Sequence, residues 1–334
     1  MTDLQVKLLD IYREIKRICE KYNITYYADG GTKLGAVRHG GFIPWDDDMD
    51  IAMKLDDYNV FKKVARKELA DSYELLDGSS IDHVDFSFLK ISDKTTTFIR
   101  WEDLPFSENY MGVHIDVFPY VGTDSSRSES AFNKKLDLLI DEITSKKLYG
   151  IGRELPILFK EQKELQQRFR LKESRYVRNG TTSMWRDSAI FPTSGYENSV
   201  EIPFEDTVIP LPGGFERQLK IQYGDYMKFP PKNERVSHHF GFVDLNTPYT
   251  HYQKESRQHF VSEVIKYTHT LQISKYQAER RLIEQEEKSA EEMKHKEYFI
   301  SEAERKYTEA QKELNSIYNS RAWKVVTQLR KMSK

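Results

Sequence analysis

Apolar residues near the start of the chain recur at intervals of three and four: Leu8, Leu9, Tyr12, Ile15, Ile18 and Cys19. That period places them on one face of an amphipathic helix lying on a core and ending near Asn23. The spacing then shortens. Thr25 to Ala28 reads as a short strand, Asp29-Gly30-Gly31-Thr32 as a turn, and Leu34 to Arg38 as a short helix broken by the segment His39 to Pro44. From Met49 to Met53 acidic and apolar residues alternate, the pattern of the edge of a buried strand. A further helix over Asp56 to Leu69 follows, and Phe86 to Ile91, Thr95 to Trp101 and Val113 to Phe118 are rich in β-branched and aromatic residues, as strands are. This order implies an α+β or α/β core.

Beyond it, Ser128 to about Arg175 reads as helical, and Asn179 to Gly214 as loops and short strands punctuated by glycine and proline. A helix from Phe215 to Tyr223 ends in Tyr223-Gly224-Asp225, where a glycine cap is the simplest role for the motif. Near residue 270 glycine and proline disappear, and a long charged helix is expected. Met293, Ile300, Ala303, Tyr307, Ala310, Leu314 and Ile317 occupy one a/d register, interrupted by Lys296 at a d position. A homodimer through this C-terminal helix and a helix docked on the domain fit the short seam equally. The last stretch, Arg321 to Lys334, carries basic residues and no acid, with Trp323, Val325, Val326, Leu329 and Met332 spaced helically. Such a tail suits peripheral contact with an anionic membrane, and a solvated helix end suits it as well. The chain therefore divides into a core at 1–122, a helical and loop-rich remainder at 123–270, a charged helix with coiled-coil spacing at 271–320, and a basic amphipathic tail at 321–334.

Composition narrows the function classes. Of 334 residues 38% are hydrophobic and 13% aromatic, enough to bury a real core. One cysteine excludes a disulfide framework or a cysteine-based zinc cluster. A net charge of -2 argues against nucleic acid as a partner, so an anionic ligand has to be met by a local basic site. No apolar run reaches the roughly 18 residues that span a bilayer, and the charged N-terminus is unlike a signal peptide. The expected location is the cytoplasm, with the tail at the inner face of the cell membrane.

The chemistry concentrates in Trp45-Asp46-Asp47-Asp48-Met49-Asp50, where four carboxylates within five residues repel one another unless cations neutralise them. On a strand, Asp48 and Asp50 point to one face and offer oxygen ligands to Mg²⁺ or Mn²⁺. Asp116, in His114-Ile115-Asp116-Val117-Phe118, is a third acid between buried-strand neighbours. An EF-hand fits positions one, three and five of its loop but fails at Ile51, where the turn glycine belongs, and at Asp57 in place of a bidentate Glu. Gly30, Gly31 and Thr32 let the backbone approach an anion at a helix start, with Lys33, Arg38 and His39 as countercharges. Neither a Walker loop nor a dinucleotide fingerprint is present.

The segment YYADGGTKLGAVRHGGFIPWDDDMDIAM, followed by HIDVFPYV and by IPFEDTVIPLPGGFERQLKIQYGDYMKFPP with Arg235 and His238 beyond, resembles the LicD family, phosphotransferases related to fukutin and to the nucleotidyltransferase superfamily. The resemblance spans roughly residues 5 to 240. It implies a nucleotidyltransferase-like mixed sheet flanked by helices, with Asp48, Asp50 and Asp116 as catalytic, metal-binding acids. It also implies a CDP-linked donor and a glycan acceptor, free or lipid-linked, belonging to a cell-surface polysaccharide or teichoic acid. Asp46, Asp47, Asp225 and His238 are further candidates for substrate contact. Lys33 stands where the family usually has an apolar residue and Gly40 where it has a basic one. The rival readings are a metal-dependent glycosyltransferase, which also sets acidic pairs on a nucleotide-sugar pyrophosphate, and a non-catalytic scaffold for glycan assembly.

Overall fold

The computed structural model describes residues 1–319 apart from 82, 105, 184–185, 238–240 and 255–256. Two compact units, Met1–Val264 and Ile265–Lys334, make up the chain. The first opens with α1 (Asp3–Tyr22), whose start is closed by a reciprocal Thr2–Gln5 capping box and whose end is turned by Asn23 at φ +52°. β1 (Tyr26–Ala28), α2 (Gly30–His39), β2 (Asp50–Lys54) and α3 (Leu55–Glu68) follow. Next come β3 (Tyr73–Asp77), β4 (Leu89–Asp93), β5 (Thr97–Ile99) and β6 (His114–Thr123). The glycines expected to form a turn are the first residues of α2, so the helix begins four residues earlier than its apolar spacing suggests.

One mixed sheet runs in the order β1-β2-β6-β4-β3. Only β2 and β6 are parallel; the other pairs along this path are antiparallel. Side-chain alternation divides the two faces. Ile51, Met53, Leu89, Ile91, Ile115 and Val117 turn into the main core with Leu8, Leu9, Tyr12, Ile15 and Phe61 from the helices. The intervening residues face the other way, and there the polar chemistry collects.

The expected long helical segment is two helices, α4 (Ala131–Tyr149) and α5 (Leu155–Arg168), parted where Gly150 caps α4 at φ +71°. β7 (Tyr176–Asn179) pairs with the end of β6 and with β8 (Ile190–Pro192), which extends the sheet. β9 (Ser199–Phe204) and β10 (Thr207–Pro212) form a separate hairpin. α6 (Phe215–Tyr223) ends on Gly224 at φ +66°, the glycine cap expected from sequence. β11 (Phe242–Asp244) pairs with β5, and α7 (Tyr249–Lys254) precedes α8 (Arg257–Asn319), which runs through most of the second unit. Among the described residues no helix is long and apolar enough to cross a membrane. The basic tail at 321–334 lies outside the described residues.

Candidate active site

Strand register assembles the site before any side chain is considered. Asp50 on β2 lies beside Asp116 on β6, and Asp116 lies opposite Lys90 on β4. Residues on one rung share a face, so two acids and a lysine stand in a row across three strands. β1 runs directly into α2 at Asp29, whose N–H donates to the Asp50 carbonyl at 3.0 Å. The Thr32 hydroxyl accepts the Asp50 N–H at 2.9 Å, which pins the start of β2 against the first turn of α2. The Asp29 side chain makes no capping bond to that helix, and Gly30 and Gly31 carry its leading N–H groups.

Acid side chains stand close against both glycines. A Cβ on Gly31 would stand 2.8 Å from a carboxylate oxygen of Asp46, and one on Gly30, at φ +50°, 3.2 Å from a carboxylate oxygen of Asp50. The acidic run thus folds back over a positive helix end, a placement that the dipole favours.

A cavity of about 1290 Å³ opens over this arrangement, lined by Gly30, Gly31, Asp46, Asp48, Asp50 and Asp116 among others. Asp48 lies before β2 rather than on it, yet it shares the cavity with Asp50. Oxygens of Asp46, Asp47 and Asp48 come within 4.8 Å of one another. Burial holds the Asp50 carboxyl well above the usual carboxylate range, and the neighbouring charges that act most strongly on it, Asp48, Asp116, Asp29 and Asp46, are all negative. Asp116 by contrast accepts a 2.7 Å bond from Lys90 Nζ, and Lys90 also reaches His114 Nε2 at 3.1 Å. Lys90 is buried against the rings of Phe86 and Phe88. Asp29 is balanced by Lys33 at 3.6 Å and by the Tyr120 hydroxyl, which donates to it at 2.6 Å.

Arg38 and Asp225 line the cavity. Arg38 donates to the carbonyls of Tyr226 and Lys228 at 3.1 and 3.4 Å and lies over Phe229, whose ring Arg235 also covers. Four expected members lie outside the cavity lining. Lys33, completely buried, turns away from it onto Gln218 at 3.1 Å and the Phe191 ring, and burial lowers the pKa of its amine. Its position among the countercharges is corrected accordingly: it supports Asp29 from behind. Thr32 spends its hydroxyl on the Asp50 backbone, Asp47 accepts a bond from Ser237, and His39 sits between Trp45 and Phe229, its pKa lowered by burial and by Arg38. His238 falls outside the described residues.

Sequence reasoning missed Lys90, Tyr120, Tyr223 and the Asp85–Arg100 pair, all in the lining. Tyr120 and Tyr223 stand inside the segments HIDVFPYV and IQYGDY without chemistry having been assigned to them, and a lysine amid apolar strand residues is the one local signal for Lys90.

A mixed sheet that brings several carboxylates to the start of a glycine-led helix is the arrangement of a nucleotidyltransferase-type phosphotransferase. Residues 23–142, which contain Asp46, Asp48, Asp50 and Asp116, match the family model described as LicD/FKTN/FKRP, nucleotidyltransferase domain. Over those residues the chain is similar to the nucleotidyltransferase domain of LicD-type phosphotransferases. It is 29% identical over 262 residues to the lipopolysaccharide cholinephosphotransferase LicD of Haemophilus influenzae, a match covering 72% of this chain and 96% of the relative. It is also 30% identical over 113 residues to the mouse ribitol 5-phosphate transferase FKRP and 26% identical to the human protein, in each case over 34% of this chain and 20% of the relative.

Proposed function

We propose that the protein moves a phosphate-linked substituent, such as phosphocholine or an alditol phosphate, from a CDP-linked donor to a sugar hydroxyl of a cell-surface glycan, with Mg²⁺ or Mn²⁺ held at Asp48 and Asp50. The observation that carries this reading is the Asp50 carboxylate, half-buried among like charges beside the glycine-led helix start. A carboxylate in that setting protonates or takes a cation, and its oxygen donors suit a hard divalent ion. Asp46 and Asp116 adjoin Asp48 and Asp50, and Asp116 is oriented by its bond from Lys90.

When bound, the cation neutralises charge on the pyrophosphate and on the departing nucleotide. The chain's own residues do the rest. Gly30 and Gly31 donate backbone N–H groups to donor phosphate oxygens, and Arg38 supplies a fixed positive charge beside them. A sugar hydroxyl attacks the distal phosphorus in line. The new oxygen–phosphorus bond forms as the bond to CMP breaks, and Asp116 accepts the hydroxyl proton. The names of two relatives support the class of group moved, since one is named for cholinephosphate transfer and the other for ribitol 5-phosphate transfer.

The test is incubation with a panel of CDP-linked donors, Mn²⁺ and candidate glycans, read by mass spectrometry. A phosphodiester-modified glycan together with CMP is expected. Transfer of a bare sugar from a nucleotide sugar would favour the glycosyltransferase reading instead.

A further inference from the structure

The cavity is larger than a nucleotide-linked donor needs, because ligand pockets for single small molecules run from about 300 to 1,000 Å³. Its surplus is not featureless. On β6 the residues that face the cavity are Asp116, Phe118 and Tyr120, at every second position, so an aromatic ring follows the third acid directly. Phe118 packs 4.6 Å from Phe88, and Phe88 lies 5.2 Å from Phe86; all three rings line the cavity. Facing residues on α4 are spaced as one side of a helix and include Asp141, Thr144 and Ser145. Asp141 accepts a 2.8 Å bond from the Ser183 hydroxyl.

An apolar ring floor beside a rim of hydroxyl and carboxylate groups fits a pyranose, which has a C–H face to stack and equatorial hydroxyls to donate. The charges add selectivity. Lys90 is engaged by Asp116 at 2.7 Å, Arg100 by Asp85 at 2.9 Å, and Arg178 by Asp137. The cations bordering this half already serve carboxylates of the chain, whereas Asp141 is bonded to a hydroxyl. We propose that the aromatic floor at Phe88 and Phe118 and the α4 rim at Asp141 form the acceptor subsite, which takes a neutral or amino-bearing hexose-sized sugar and discriminates against a uronic acid. The proposal rests on the transferase reading for its purpose, but sugar binding itself does not require a donor.

Ligand-observed NMR on the full chain, with methyl glycosides of a neutral hexose, a hexosamine and a uronic acid as probes, separates the two. The hexose and hexosamine are expected to bind at millimolar concentration through ring protons and to lose about tenfold in affinity in Phe118→Ala, a loss of about 1.4 kcal/mol. Phe118→Leu, which keeps the apolar bulk, controls for folding and should fall between. Asp141→Ala should weaken the hexosamine most. In transfer assays the same variants should raise the acceptor KM about tenfold while the donor KM changes less than about twofold. Binding of the uronic acid as tight as that of the hexose, or no sugar binding at all, would overturn the proposal. So would a rise in donor KM in place of acceptor KM, which would assign the rings to the donor's transferred group. Absence of donor turnover with sugar binding intact would instead count against the transferase reading alone.

Discussion

Asp50 is the residue at which stability and the proposed chemistry pull in opposite directions. Its carboxyl is raised above the ordinary range by burial and by surrounding acids, so between the unfolded value and the folded one the native state holds a proton that the unfolded chain has released. Stability therefore falls as pH rises through that window. Asp50→Asn removes this cost: the melting temperature of the metal-free variant should exceed that of wild type at pH 8, and the difference should shrink toward pH 5. Transfer activity should drop by at least about a hundredfold, the scale of losing one preorganised electrostatic group. A variant no more stable than wild type at pH 8 would show that the acidic crowding is relieved in some other way. Lys90 has the opposite character. Lys90→Met leaves Asp116 without its 2.7 Å partner and should destabilise by about 3 kcal/mol in a chemical denaturation series, less if water reaches the carboxylate. Pairing it with Asp116→Leu should recover part of that loss, and full additivity of the two changes would contradict the coupling. The contrast explains what the sequence disclosed. Four neighbouring carboxylates announce themselves, but Lys90 meets Asp116 across 26 residues through the β4–β6 register, which no local pattern encodes.

At the scale of elements, the β1–α2–β2 unit carries most of the proposed site, and its glycines are where sequence reading went partly wrong. Gly30 and Gly31 are poor helix formers, so they read as a turn, yet they are the first turn of α2. Tertiary packing overrides propensity there: Gly30 takes φ +50°, and a Cβ on Gly31 would press on the Asp46 carboxylate in its present position. Gly31→Ala should therefore leave the circular dichroism spectrum near that of wild type while reducing kcat about tenfold or more, since its methyl displaces the Asp46 carboxylate. Unchanged kcat would show that the close approach is incidental. Other elements were read well where apolar periodicity was strong: α1, α3 and α6 lie within a few residues of their expected bounds. β3 and β7 were missed. β7 reads only Tyr-Val-Arg-Asn, and its pairing with β6 rather than its own composition makes it a strand.

In the whole molecule the family match and the cavity acids fall within the first unit, while α8 runs through the second with Met293, Ile300, Tyr307 and Leu314 all exposed at seven-residue intervals. That repeat keeps the homodimer reading open to direct test. Sedimentation should show a dimer that Ile300→Lys with Leu314→Lys converts to monomer, and a wild-type chain monomeric at tens of micromolar would remove it. The central claim is the metal-assisted transfer at the acidic run, and the most direct measurement is Mn²⁺-dependent release of CMP from the CDP-linked donor that the panel identifies, compared between wild type, Asp48→Ala and Asp50→Ala. The account predicts release by wild type only when the divalent ion is present, and a loss of at least about a hundredfold in each variant with the fold retained. Turnover at the wild-type rate by either variant, or the same rate in the presence of excess chelator, would contradict it.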